Sequence, residues 1–281
     1  MVNINGSIVE TKSAQVSLNN RAFNYGDAVF ETMRISDGKI YFWEDHYFRL
    51  MASMRILRME IPMDFTMEHL EEEVLKTFRS VDSSQKTFRA KLIVWRETGG
   101  KYTPHTNEIG YAISVESLAG PSYVLNETPY EIELFKDFYV PANLLSTLKS
   151  TNRLVNILGS IFASENGYQN CLLLNEHKQV VEALNGNIFI VSDFVIKTPP
   201  LADGCLNGIL RKQLLSILKT LPAYQVKEES ISPFELQKAD ELFITNVISG
   251  LVPVTKYRKK EYRNTVAIEL LPLLNLWASM S

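Results

Sequence analysis

Two dipeptides constrain how the first part of this chain can pair with itself. Asn5-Gly6 lies between the apolar-rich stretches 2–4 and 8–9. Asp37-Gly38 lies between Thr32-Met33-Arg34-Ile35 and Lys39-Ile40-Tyr41-Phe42. Such dipeptides between apolar runs are the strongest short signal for two-residue hairpins, whose central residues take positive φ. Hairpins join antiparallel strands, whereas parallel strands need long crossovers. Glu44-Asp45 then opens a helix, with acids in its first turn and Phe48, Met51, Met54 and Leu57 on the expected apolar stripe. A further helix is expected over 66–78, and strands over 88–95 and 109–115.

Ser117-Leu118-Ala119-Gly120-Pro121-Ser122 is the strongest turn-rich break in the chain. The expected organisation is a smaller N-terminal α/β domain at 1–118, a linker at 119–122 and a larger C-terminal domain at 123–281. Beyond the break the pattern predicts a strand at 130–134 and a helix at 152–165. Strand pairs follow at 171–174 with 180–181 and at 187–191 with 194–197. A helix is expected over 208–221 and another over 265–278. Residues 241–254 read as strand, with 245–250 as an irregular middle. Strand runs with helices between them predict a mixed α/β (α+β) fold rather than a Rossmann sheet.

Composition excludes several function classes. The net charge of −3 lacks the basic footprint of a nucleic-acid binder. The densest basic patch, Arg258-Lys259-Lys260, reads as a solvated turn. Two cysteines, Cys171 and Cys205, frame no disulfide scaffold and no CxxC site. His46, His69, His105 and His177 show no zinc spacing, so no metal is expected. The start lacks the basic and apolar regions of a secretory signal, and no apolar run is long enough to span a bilayer. A cytoplasmic protein with no membrane partner is expected.

Five segments could carry chemistry, and each has an ordinary alternative. Lys149 sits between a strand-like stretch and a helix start. It is either a solvated helix-end residue or a desolvated, reactive amine. Glu182 closes an apolar strand before Asn185-Gly186, as an exposed strand end or as a buried functional acid. Arg49 shares a helical face with His46. It either snorkels or presents its fork to a phosphate. Asn207-Gly208-Ile209-Leu210-Arg211 opens a helix, whose N-terminal N–H groups favour anions. Thr245-Asn246-Val247-Ile248-Ser249-Gly250 is a turn or a second anion cradle.

Taken in order, and headed by Asn20-Arg21-Ala22-Phe23-Asn24-Tyr25-Gly26-Asp27-Ala28-Val29-Phe30-Glu31-Thr32, these segments resemble the class IV aminotransferases. That family includes branched-chain aminotransferases, D-amino acid aminotransferases and aminodeoxychorismate lyases. The resemblance spans nearly the whole chain. It implies the two-domain fold type IV (D-amino acid aminotransferase-like), with pyridoxal 5'-phosphate (PLP) between the domains. It also implies a homodimer with each site near the subunit interface. By this resemblance Lys149 is the Schiff-base lysine, Glu182 pairs with the pyridine nitrogen, and Arg49 clamps the phosphate. Backbone groups of Ile209, Leu210, Asn246 and Val247 assist at the phosphate. Phe30, Lys101 and Tyr102 are candidates for substrate contact.

Two activities are implied. One transfers the amino group of an amino acid, branched-chain among the candidates, to a 2-oxo acid. The other is 4-amino-4-deoxychorismate lyase, which eliminates pyruvate and leaves 4-aminobenzoate. Local motifs lean to the lyase. Leu154 stands where branched-chain aminotransferases usually carry a tyrosine. Lys149-Ser150-Thr151-Asn152-Arg153-Leu154 and Asn207-Gly208-Ile209-Leu210-Arg211 also look more like the lyase pattern. Lys101 falls nearest the arginine with which D-amino acid enzymes hold the substrate carboxylate. It lacks the planar fork, which disfavours that specialisation. A non-catalytic ligand-binding relative would be a third reading, against which the joint presence of Lys149 and Glu182 argues. The motif departs from its usual form at Asn20, Ala22 and Ala28. Alanine fits at the last two only if their backbones need no positive φ.

Overall fold

Both hairpin dipeptides turn as expected, with φ of 48° and 83° at Asn5 and Gly6 and of 49° and 79° at Asp37 and Gly38. The computed structural model describes residues 1–81 and 84–281. These divide into two units by their contacts. The first is Met1–Ser122 with Lys149–Asn152 and Ser281, and the second is Tyr123–Leu148 with Arg153–Met280.

The first unit comprises β1 (Val2–Ile4), β2 (Ser7–Val9), α1 (Arg21–Tyr25), β3 (Ala28–Ser36), β4 (Lys39–Ile40), α2 (Trp43–Ile56), α3 (Met67–Arg79), β5 (Thr87–Arg96) and β6 (Ile109–Ser117). Its six-stranded sheet runs β2-β1-β6-β5-β3-β4, antiparallel throughout. Met33, Ile35, Leu50, Met54, Leu70, Leu92 and Ile113 form its core. Phe48, expected on the buried stripe of α2, is instead 55% exposed. The buried face runs through Trp43, His46, Leu50 and Met54. Those three- and four-residue steps put Phe48 on the other side of the helix. Ala22 lies inside α1 and Ala28 opens β3, so neither needs the freedom of glycine. Gly26 does, with φ of 63° at the end of α1.

The second unit comprises β7 (Glu131–Val140), α4 (Leu154–Glu165), β8 (Asn170–Asn175), β9 (Val180–Ala183), β10 (Asn187–Ser192), β11 (Val195–Thr198), α5 (Ile209–Leu218), β12 (Gln225–Glu228), α6 (Pro233–Leu236), β13 (Glu241–Asn246), β14 (Gly250–Val254), β15 (Lys256–Tyr257), β16 (Lys260–Glu261) and α7 (Thr265–Met280). Two five-stranded sheets result, β16-β15-β7-β8-β9 and β12-β11-β10-β13-β14. Ile132, Leu172, Ile188, Leu242, Ile244 and Tyr257 contribute to one core cluster. The stretch 241–254 is a hairpin rather than one interrupted strand. Gly250, at φ of 75°, starts the return strand. Cys171 and Cys205 are both unbridged and buried.

Among the described residues, no helix is long and apolar enough to cross a membrane. Nor is any group of three or more His, Cys, Asp or Glu placed to hold a metal ion.

Candidate active site

In the first unit Lys149 is positioned by backbone pairing. The Phe30 N–H donates to the Lys149 carbonyl at 2.8 Å, and the Thr151 N–H donates to the Ala28 carbonyl at 3.1 Å. Val29 and Ser150 face each other as an antiparallel bridge. Side chains reinforce the seam: Thr151 Oγ1 and Asn152 Nδ2 both donate to the Gly26 carbonyl, at 3.1 and 3.0 Å. A β pairing fixes the direction of each side chain it carries. Lys149 Nζ accordingly stands 4.5 Å from the Phe30 ring centroid. Lys91 of β5 approaches the same ring at 5.0 Å. Burial, and then the Arg89 charge, hold the Lys91 pKa below the ordinary lysine value.

Glu31 follows Phe30 on β3 and therefore points to the opposite face of the sheet. There it meets α2. Arg49 Nε donates to Glu31 Oε1 at 2.7 Å and Arg49 Nη2 to Oε2 at 2.6 Å. His46 Nδ1 lies 2.6 Å from the same Oε2. Glu31 is 2% exposed. Burial works to raise its pKa, but the Arg49 and His46 charges and hydrogen bonds bring it down to about 2. His46 is pushed below its ordinary value by burial, against the pull of Glu31. A carboxylate ionised at neutral pH cannot donate, so His46 Nδ1 carries the shared proton. His46 Nε2 is buried and has no hydrogen-bond partner among the described residues. Lys149 is among the charges that act on His46, so the amine and the Glu31–His46–Arg49 cluster belong to one neighbourhood.

The opening motif has a structural task as well. Asp27 Oδ2 accepts from Arg21 Nε at 2.8 Å and from Arg96 Nε at 2.9 Å. Arg21 Nη1 also donates to the carbonyls of Gly99 and Lys101. The motif arginine thereby shapes the loop that carries Lys101 and Tyr102. Both side chains are exposed, Tyr102 at 91%.

In the second unit Glu182 is buried on β9, and its Oε2 accepts the Leu206 N–H at 2.8 Å. The Leu206 carbonyl in turn accepts from Asn187 Nδ2 at 2.9 Å. Gly208 has an ordinary φ of −71°, yet a Cβ there would collide with Asn187 Oδ1. Space rather than backbone freedom demands the glycine. Gly208 gives α5 no side-chain cap, so the first N–H groups of Ile209 and Leu210 meet no oxygen from the capping residue. Asn187 pairs in register with Thr245, which brings the 246–249 turn near this loop. Asn246 Oδ1 accepts the N–H groups of Ile248 and Ser249.

In the first unit the structure thus sets Lys149 against Phe30 and, across β3, Arg49 against Glu31, with Lys101 and Tyr102 on an exposed loop. In the second it gathers Glu182, Ile209, Leu210, Asn246 and Val247. Sequence reasoning missed Glu31 and His46 as the partners of Arg49, Lys91 as a second cation on Phe30, and Asn187 as the group that enforces Gly208. Glu31 was within reach, since it lies inside the opening motif. Nothing local marks Asn187.

Comparison with known proteins adds to this geometry. The family model described as amino-transferase class IV matches residues 28–257. A Methanocaldococcus jannaschii protein assigned as a branched-chain-amino-acid aminotransferase is 34% identical over 260 residues, covering 89% of this chain and 85% of that protein. An aminodeoxychorismate lyase of Vibrio harveyi is 26% identical over 243 residues, covering 85% and 86%. Among solved structures, the branched-chain aminotransferase of Thermoproteus uzoniensis with norvaline matches with a TM-score of 0.87 at 25% identity, over 97% of this chain and 92% of that one.

Proposed function

The chain belongs to the class IV aminotransferases, and from that premise we propose that it moves the amino group of an amino acid to a 2-oxo acid, with PLP carried on Lys149. Its mixed α/β architecture is the PLP fold type IV of that family. The observation that carries the reading is the seam of Lys149 on β3. It sets the amine against Phe30 in the unit that also holds the Glu31–Arg49 pair.

The residues present fit the cofactor. A phosphate dianion suits a guanidinium and helix-start N–H groups. A protonated pyridine nitrogen suits a buried carboxylate. When bound, PLP supplies an electron sink for a substrate Cα that gives up its proton. Arg49, with N–H groups at Ile209, Leu210, Asn246 and Val247, would hold the phosphate. Glu182, oriented by the Leu206 N–H, would hold the ring nitrogen. The Lys149 amine would take the Cα proton and return it. Phe30 would shield the amine and touch substrate. Lys91, Lys101 and Tyr102 would meet the substrate's polar end.

A second reading is aminodeoxychorismate lyase. Leu154 supports it: the residue opens α4 at 73% exposure and offers no hydroxyl where branched-chain enzymes usually carry tyrosine. The assembly proposed is a homodimer. Leu154, Ile157, Leu158 and Ile161 support it, because these exposed apolar residues form one stripe of α4.

Borohydride reduction of the purified protein followed by peptide mapping tests the central residue. The label should fall on Lys149, and Lys149→Ala should lose activity by about 10³-fold or more. A label on another lysine would overturn the assignment. Assays for amino transfer to 2-oxoglutarate and for pyruvate release from aminodeoxychorismate then separate the two readings.

A further inference from the structure

The turn between β13 and β14 is held by a residue remote from it in sequence. Tyr123 is 2% exposed, and its hydroxyl donates to the Val247 carbonyl at 2.9 Å. The same peptide is held at its other end. The Ile248 N–H donates to Asn246 Oδ1 at 3.0 Å, and the Ser249 N–H donates to that oxygen at 2.9 Å. One peptide plane therefore has both its oxygen and its hydrogen bonded, and it cannot rotate without losing one of them.

Tyr123 is itself fixed. Asn275 of α7 accepts the Tyr123 N–H through Oδ1 and donates through Nδ2 to the Tyr123 carbonyl, both at 2.9 Å. Gly250 packs against the ring, where an added Cβ would lie 2.7 Å from two ring atoms. Ring, hydroxyl and backbone each have a defined partner. Packing alone would be satisfied by phenylalanine, which would not bring a hydroxyl out of water.

We propose that Tyr123 is a positioning residue for anion binding at this turn. The bond from the Ile248 N–H to Asn246 Oδ1 closes a ring that contains the Asn246–Val247 peptide, and Tyr123 pins the far plane of that ring, so the Val247 N–H is held in direction and the cofactor phosphate meets a donor already in place. The proposal rests on the reading that Val247 contributes to phosphate binding. A preorganised donor costs no reordering when the anion arrives, whereas a donor on a loose turn must first be ordered.

Tyr123→Phe keeps the ring against Gly250 and removes only the hydroxyl. The full chain, stripped of cofactor, would be titrated with PLP and with pyridoxal, which lacks the phosphate. The ³¹P resonance of bound PLP would be recorded alongside. The PLP dissociation constant should rise about 3- to 10-fold. Pyridoxal binding should not change, and the ³¹P resonance should shift or broaden. Equal weakening of both ligands would mark a general loosening and overturn the proposal, as would no change in either. A wild-type chain that binds PLP no better than pyridoxal would instead sink the phosphate reading itself. Should Tyr123→Phe not fold, Asn275→Ala leaves the hydroxyl and loosens its anchor. The same selective loss of PLP is expected there, and its absence would overturn the proposal.

Discussion

Glu31 has more bonded to it than its place in the sequence suggests. One carboxylate takes two N–H groups of Arg49 and the ring nitrogen of His46. Glu31 falls from 4.5 to about 2 on folding, so its contribution is complete above about pH 4.5 and is lost as pH drops toward 2. His46 acts in the same direction. Unfolded, it takes up a proton below about 6.5 that the folded site disfavours. Stability should therefore fall in two stages on acidification, first below pH 6.5 and again below 4.5. Urea unfolding midpoints from pH 7 to pH 3 would test this, and a flat profile would contradict it. Glu31→Gln should cost about 3–5 kcal/mol, because it leaves Arg49 partly buried without its counter-charge. It should also flatten the second stage. The sequence showed Arg49 as a residue that could snorkel or bind phosphate, and it could go no further. What Arg49 pairs with in the fold is a carboxylate on another element, and only the tertiary structure brings that carboxylate within 3 Å.

Elements were legible where local chemistry alone decides them. The two hairpin dipeptides, the acids that open α2 and the long helices α3, α4 and α7 all carry their own signals. The short α1, β12, β15 and β16 are built by contacts with neighbours and have no period to read. The fold-back within 241–254 was legible only as one of two alternatives for 245–250, for a related reason. An apolar run does not show which side of it pairs with which, and only Gly250 at positive φ marks the return. The start of α5 offers a test at this scale. Gly208→Ala suits the backbone conformation but forces Asn187 aside. A cost of about 1–3 kcal/mol is expected, as for overpacking elsewhere. A fall in PLP affinity should accompany it, since Asn187 also holds the Leu206 carbonyl. Thermal unfolding with and without PLP measures both. An unchanged melting temperature would mean that Asn187 moves at little cost.

At the scale of the whole molecule, composition set bounds and no more. The net charge argued against nucleic acid, but nothing in it indicated association. The exposed stripe of α4 supplies that argument. Leu154, Ile157, Leu158 and Ile161 would each gain by leaving water, at about 25 cal/mol per Å² of apolar surface. Light scattering should give a particle of twice the 32.0 kDa chain mass. L158K with I161K should return it to the mass of one chain, because two buried ammonium groups would face each other without partners. A single-chain mass for the unaltered protein would rule the homodimer out.

The seam at Lys149–Asn152 also bears on how the chain is made. This segment belongs by its contacts to the first unit, yet it leaves the ribosome only after Tyr123–Leu148, which belongs to the second. A nascent chain that has reached Ser122 still presents the Ala28 carbonyl and the Phe30 N–H without the backbone groups that will bond them. Open strand edges of this kind are what stray chains pair with. Synthesis therefore leaves that edge exposed until the lysine arrives, and the residue proposed for catalysis also closes the sheet. Neither unit can be expressed, exchanged or inherited as one uninterrupted stretch of gene without cutting that seam.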